Sequence, residues 1–256
     1  MTAVIERHVD IPTSAGSMDI FISRPAGSAA FPLVIVFMDI WGARPQLFEI
    51  ANRIASNGYC SIVPNFYYRD GVRGFDFRNA RGQSLSMEIA SKEQQDAVRR
   101  HAAALTNSMV DADVDAILKY FENEPVSQGR VGSVGFCMGG RHALFLAGTR
   151  PERMLATASL HGTRLVSDNL DSPHRLAERF RGEIYCGFAE HDPFVPPDIV
   201  TTLDRLLGNR QTLKYRSAVH PGAHHGYSIP DRDVYDHVAA EMDWTEIFAM
   251  FSRTLR

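Results

Sequence analysis

Cysteine is scarce, with three in 256 residues. Three thiols make no disulfide framework, and an odd count fits a reducing compartment. An excess of either charge is also missing: 27 basic against 30 acidic side chains leave a net charge of −3. That balance offers no attraction for nucleic acid or an anionic membrane surface. No apolar run approaches the ~18 residues of a membrane-spanning helix. Residues 1–10 carry charge by the sixth position and show no apolar leader core. Internal repeats, low-complexity tracts and linker-like stretches are absent too. What remains is an ordinary globular composition, 45% hydrophobic, with enough chain to bury a core. A soluble cytoplasmic protein is expected, with one domain spanning residues 1–256.

The apolar segments alternate in type. Strands are expected at 4–10 and 18–24 with a turn near Ala15-Gly16, and at 33–37, 60–63, 131–136, 155–160, 184–187 and 213–219. Helices are expected near 46–57, along the stripe Val110, Val114, Ile117, Leu118 and Phe121, and at 138–148, 197–207 and 238–251. The run Leu33-Val34-Ile35-Val36-Phe37 is continuously apolar, as a strand covered on both faces must be. This order predicts an α/β fold, a mostly parallel doubly wound sheet of about eight strands with helices on both faces. In such sheets, functional groups collect in loops beyond the carboxyl ends of the strands. One polar, Arg-rich stretch at about 65–95 does not alternate. So long an excursion is either a lid or binding element or a plain surface loop.

Between the strand at 131–136 and the following helix stands Gly135-Phe136-Cys137-Met138-Gly139-Gly140. This is the nucleophile-elbow pattern G-x-S-x-G with Cys in place of Ser. The turn is so tight that side chains two residues before and after the nucleophile would collide, hence the glycines. A thiol is reactive as its thiolate, which a helix N-terminus favours. The N–H of Met138 is placed to donate to an oxyanion. Cys60 and Cys186 lie in apolar strands and read as core packing.

A cysteine nucleophile needs a base, and elbow hydrolases carry their triad in the order nucleophile, acid, His. His220-Pro221-Gly222-Ala223-His224-His225-Gly226-Tyr227 lies where the base belongs, with two adjacent histidines as candidates. Asp192 follows the strand at 184–187 and is the candidate acid, with Glu190 and Asp198 in reserve. His161 follows another strand and is a candidate to face the cleft. The His and Cys residues lack metal-ligand spacing, so no metal is expected, and nothing implies a cofactor.

Together these stretches, with Met38-Asp39-Ile40-Trp41-Gly42, Gly58-Tyr59, Val63-Pro64 and Tyr67-Tyr68, resemble the dienelactone hydrolase family of α/β-hydrolases, the carboxymethylenebutenolidase group. The resemblance runs from about residue 18 to 251. It implies an α/β-hydrolase fold and selects His225 as base and Asp192 as acid. It implies that the N–H of Ile40 is the second oxyanion donor, that Trp41 lines the pocket, and that Asp39 stands where the family's Glu holds the resting thiol. The archetypal enzyme binds a substrate carboxylate through arginines. Their positions here hold Ile229 and, on a helix after the excursion, Gln94-Gln95 with Arg99 and Arg100 close by. Arg81, or Arg73 or Arg78, is the candidate replacement from the excursion.

The expected reaction is hydrolysis of an activated ester or lactone through a thioester on Cys137. A broad carboxylesterase or thioesterase, or an acyltransferase, is the neighbouring alternative. A non-catalytic ligand-binding α/β domain is the alternative from another class. The expected partner is a small-molecule ester or lactone, with neither nucleic acid nor membrane, and the chain is expected as monomer or homodimer.

Overall fold

The structure, a computed structural model, describes residues 3–256. Met1 and Thr2, the start of the stretch read above for a leader, lie outside the described residues. Eight strands form one sheet in the order β1-β2-β4-β3-β5-β6-β7-β8. The first two, β1 (Val4–Thr13) and β2 (Gly16–Pro25), make an antiparallel hairpin. Strand β4 (Cys60–Pro64) joins β2 antiparallel, and β3 (Phe31–Phe37) joins β4 parallel. The remaining strands, β5 (Val126–Phe136), β6 (Met154–Leu160), β7 (Glu183–His191) and β8 (Lys214–His224), continue in parallel. The mostly parallel α/β sheet expected from the alternation is the one observed.

The helices are α1 (Pro45–Ser56), α2 (Lys92–Ala104), α3 (Asn107–Phe121), α4 (Met138–Thr149), α5 (Pro197–Gly208) and α6 (His237–Leu255). Five of them follow apolar stripes that the sequence displays. In α1, Leu47, Ile50, Ala51, Ile54 and Ala55 are the buried face. Strands β5 and β6 are packed by α4 and α6, which is why their apolar residues run without alternation. Helix α2 has no such stripe, since only Val98 of it is buried. It is defined at its start by a reciprocal cap, in which Ser91 Oγ accepts from the Gln94 N–H and the Gln94 side chain accepts from the Ser91 N–H.

Chain order reverses between β3 and β5. The chain leaves β3 for β4 on one side and later returns to β5 on the other. Loops leaving the carboxyl ends of these two strands diverge and open a crevice, the usual ligand site of such a sheet. The loop after β3 carries Asp39, Ile40 and Trp41, and the turn after β5 carries Cys137. At the far side, β7 and β8 run longer than their apolar segments. Their last pair sets His191 opposite His224, so Asp192 and His225 leave the sheet side by side.

The excursion at 65–91 has little regular structure but is well anchored. Trp41, Met87, Ala90 and Val98 form a small apolar cluster of their own. The Ser84 N–H donates to Asp231 O at 2.8 Å, and Ser86 Oγ donates to Asp233 Oδ2 at 3.0 Å, which pins the excursion to the loop after β8. At its start, Arg69 grips the buried carboxylate of Asp113 on α3 with two bonds of 2.8 Å, and Tyr68 Oη adds a third at 2.8 Å. Removing the guanidinium would strand a buried charge. Arg69→Met is expected to lower stability by about 2–3 kcal/mol in urea unfolding, and a loss below about 0.5 kcal/mol, the size of an exposed pair, would contradict this anchoring role.

Candidate active site

Cys137 ends β5 and caps α4 with φ 54° and ψ −115°, a conformation that non-glycine residues avoid. Its backbone is held on all sides. The Cys137 N–H donates to Leu160 O at 3.0 Å, and its carbonyl accepts from the N–H groups of Gly140 and Thr163, both at 3.1 Å. The flanking glycines are steric requirements. A Cβ on Gly135 would stand 2.1 Å from Gly139 O, and one on Gly139 would stand 2.2 Å from Phe37 O. The strained turn aims the sulfur into a cavity of about 360 Å³, which Asp39, Ile40, Trp41, Met138, His161 and His225 also line.

His225 stands across this cavity. Its Nδ1–H donates to Asp192 Oδ2 at 2.7 Å, and both side chains are nearly buried. Burial alone would pull the imidazole pKa down. The Cys137 charge opposes this first, then hydrogen bonds to Asp192 and Cys137, and together they raise it to about 10. The structure therefore brings Cys137, His225 and Asp192 together. His224 is exposed, and Glu190 accepts from the Gly222 N–H at 2.8 Å. Cys60 and Cys186 are buried and their thiols are pushed up to about 12, chiefly by desolvation.

The loop bearing His225 is tied down by Asp243 of α6, which is completely buried. Tyr185 Oη donates to it at 2.7 Å, His220 Nε2 lies at 2.6 Å, and Tyr227 Oη also donates to it. His220 and Tyr227 bracket His225 in the chain, so one carboxylate fixes both sides of the loop.

Ile40 and Met138 border the cavity from β3 and β5, the two strands at the switch point. The Met138 N–H belongs to the first turn of α4, where a helix has no carbonyl of its own to offer. Tyr67 Oη donates to Ile40 O at 3.0 Å and holds the first loop from behind.

Asp39 departs from the thiol-holding contact implied by the resemblance. Its carboxylate pairs with Arg44, Oδ1 to Nη1 at 2.5 Å and Oδ2 to Nη2 at 2.9 Å, and also accepts from the Trp41 N–H at 3.0 Å. Arg232 Nη1 lies 3.7 Å from Oδ2. A short side chain turned back on its own loop, with a guanidinium five residues on, finds these partners before the thiol.

The expected pocket residues divide. Trp41 lines the cavity, with the Arg232 guanidinium 5.3 Å from the centre of its ring. His161 lines it too, fully buried, with Nε2 2.9 Å from Ser228 Oγ and its ring 4.9 Å from that of His225. Burial first, and the His225 and Arg232 charges next, hold its pKa well below the usual range, so this ring is neutral. Arg81 is outside the cavity. It stands exposed on a turn that Asn79 Oδ1 closes by accepting the Arg81 N–H at 2.9 Å and the Gln83 N–H at 3.0 Å. Arg73 is engaged by Asp19, and Arg78 by Asp76 and Asp231. The arginines that do line the cavity are Arg99, Arg141, Arg164 and Arg232. Of these, Arg99 is the one named above beside Gln94-Gln95, and Arg141 was open to sequence reasoning, since it follows Cys137 by four residues and so shares its helix face. Ile229, at the family's arginine position, is fully buried.

No helix among the described residues is long and apolar enough to cross a membrane. Nor do the described residues contain a cluster of three or more side chains suited to a metal ion.

Comparison with known proteins agrees with this geometry. The profile of the Dienelactone hydrolase family matches residues 18–255. A protein of Synechocystis sp., provisionally named carboxymethylenebutenolidase, is 25% identical over 252 residues, covering 97% of this chain and 96% of its own. A protein of Bradyrhizobium sp., provisionally named 2-oxo-3-(5-oxofuran-2-ylidene)propanoate lactonase, is 25% identical over 241 residues, covering 92% of this chain and 89% of its own. A crystal structure from Klebsiella pneumoniae, provisionally described as a dienelactone hydrolase, superposes with a TM-score of 0.82 at 22% identity, over 98% of this chain and 99% of that one, and so shares the fold. With the match spanning nearly the whole sheet and the elbow at its centre, the chain belongs to the dienelactone hydrolase family and is a hydrolase.

Proposed function

We propose that the protein hydrolyses activated carboxylic esters or lactones through a Cys137–His225–Asp192 triad and a thioester intermediate. The observation that carries this reading is the charge chain at the elbow. A strained Cys137 faces an imidazole whose pKa is raised to about 10, and that imidazole is bonded to Asp192 at 2.7 Å. Asp192 and the sulfur both favour the protonated ring, so the imidazole is placed to take the proton of Cys137 and hold it while the thiolate attacks.

The thiolate attacks the substrate carbonyl, and the electron pair of the C=O moves onto oxygen. The N–H groups of Ile40 and Met138 are the donors for that oxyanion. When the adduct collapses, the alkoxide or enolate leaves and takes the proton of His225. The thioester carries no charge, so the largest influence raising the His225 pKa disappears at that moment. The ring is then neutral and serves as base for the water that attacks the thioester, with Asp192 fixing its tautomer. Thiolate is a good leaving group, so the adduct goes forward only when the departing group is also good. Enol esters and strained lactones satisfy this, and amides do not. In this reading the excursion at 65–91 covers the site, contributing Met87 and Glu88 to its wall, and the chain works as one domain.

Cys137→Ala is expected to abolish turnover of a p-nitrophenyl ester while leaving the circular dichroism spectrum unchanged, and Cys137→Ser to fall at least about 100-fold; wild-type rates in either variant would overturn the thioester route. The raised pKa of His225 sets a second expectation with a definite sign. Protonation of the ring is retained through neutral pH and lost as pH rises through about 10. Iodoacetamide at pH 7 should therefore label Cys137 alone and rapidly, sparing Cys60 and Cys186, whereas His225→Gln should slow this labelling at least about 10-fold. Peptide mass mapping reads both results, and equal labelling of all three thiols would contradict the ion pair.

A further inference from the structure

Most buried or half-buried arginines of this fold meet a carboxylate. Arg44 pairs with Asp39, Arg69 with Asp113, and Arg150 with Asp111 and Asp115. Half-buried Arg141 does not, nor does its exposed neighbour Arg164, since among the described residues no carboxylate lies within ion-pair distance of either. Arg141 Nε is buried without a hydrogen-bond partner, and its Nη2 has only the distant His142 Nε2, at 3.5 Å. Burial first, and the neighbouring Arg164 charge second, pull the Arg141 pKa down, against weaker opposition from Asp171 and Cys137. A half-buried guanidinium beside a second one, with only Asp171 and Cys137 in partial opposition, is unfavourable unless something anionic joins the pair.

Their placement relates them to the reaction centre. Arg141 lies four residues after Cys137 on α4, one turn or about 6 Å along the axis. Arg164 sits in the loop after β6 with φ 53°, a left-handed backbone that arginine seldom adopts. That loop is fastened to the nucleophile's own backbone by the Thr163 N–H. Both side chains line the cavity that holds the sulfur, and its lining contains four arginines against the carboxylates of Asp39 and Glu88. Ile229 and Gln94-Gln95 stand where the family's archetype keeps arginines, and of the cavity's arginines Arg99 comes from the same helix as Gln94-Gln95 whereas Arg141 and Arg164 come from the β5 and β6 side.

We propose that Arg141 and Arg164 form an anion subsite beside Cys137 that receives a carboxylate on the acyl part of the substrate. The assignment to the acyl part rests on the reading of Cys137 as nucleophile: the leaving group must lie at His225, while the arginine pair lies on the side of β6 and α4. A monoanion fits best. Asp171 already offsets part of the charge of the pair, and a carboxylate accepts the planar fork of a guanidinium with both oxygens.

The test compares mono-p-nitrophenyl adipate with p-nitrophenyl hexanoate. The acyl chains are equal in length and differ only in a terminal carboxylate. Wild type is expected to favour the adipate ester in kcat/KM by about 10- to 100-fold. Arg164→Gln and Arg141→Gln should each remove most of that preference through KM, and Arg164→Lys should restore part of it. Arg164 is exposed, so its variant keeps the test valid if Arg141→Gln misfolds. A readout independent of turnover uses adipamic acid, whose amide resists cleavage. It should protect Cys137 of the wild type from iodoacetamide better than hexanamide does, and should lose this advantage in Arg164→Gln. Equal kcat/KM for the two esters, or a preference that survives both Arg→Gln changes, overturns the subsite. Failure of Cys137 to react with iodoacetamide would instead overturn the nucleophile reading beneath it.

Discussion

The backbone turn at Cys137 is the constraint on which the rest of the site depends. It brings a strand end and a helix start into contact so close that Gly135 and Gly139 have no room for a side chain. Nothing in the turn itself stabilises a φ of 54° at a cysteine. The conformation persists because a hydrogen bond to the Leu160 carbonyl and hydrogen bonds from the N–H groups of Gly140 and Thr163 fix the residue from three directions. The strain is thus supported by β6 and its following loop, and that loop also carries His161 and Arg164 into the cavity. Nucleophile, helix terminus and pocket wall are consequences of one crossing of the chain.

Electrostatics then separates two kinds of charge within a small volume. Around the loop after β3, Asp39 is gripped by Arg44, with Arg232 3.7 Å away. With its carboxylate engaged by Arg44, Asp39 does not join the Cys137–His225–Asp192 chain. An acid free to approach the thiol would compete with the imidazole for the sulfur's proton, whereas an acid already gripped by a guanidinium does not. In the proposed mechanism Arg44 thus keeps the short aspartate turned onto its own loop and leaves the sulfur to face His225.

Much of this was legible from residue order, for identifiable reasons. The strands that are covered on both faces announce themselves as unbroken apolar runs, and the elbow announces itself through glycines that geometry demands. Helix α2 was not legible as a stripe, because it buries only Val98 and is defined by a cap. The first half of β5 was missed because it is polar and pairs with β3 out of register, shifting at Pro32/Leu33. The contacts of Asp39 depend on where Arg44 falls in space, which no spacing rule gives. Arg81 and Arg164 look alike in sequence. One is held outward by a turn at Asn79, and the other is held inward by a loop fastened to Cys137. That distinction is a tertiary fact.

Strand β8 is the outermost member of the sheet, and it delivers His225. An edge strand has a neighbour on one side only, and edges are the first parts of a sheet to open. The clasp of Tyr185, His220 and Tyr227 on Asp243 compensates for the missing neighbour by tethering that margin to the last helix. Warming would therefore reach the imidazole before it reached the sulfur. The order of failure is built into the topology: a thiol still seated at an intact bend, deprived of its proton partner while the interior is still folded.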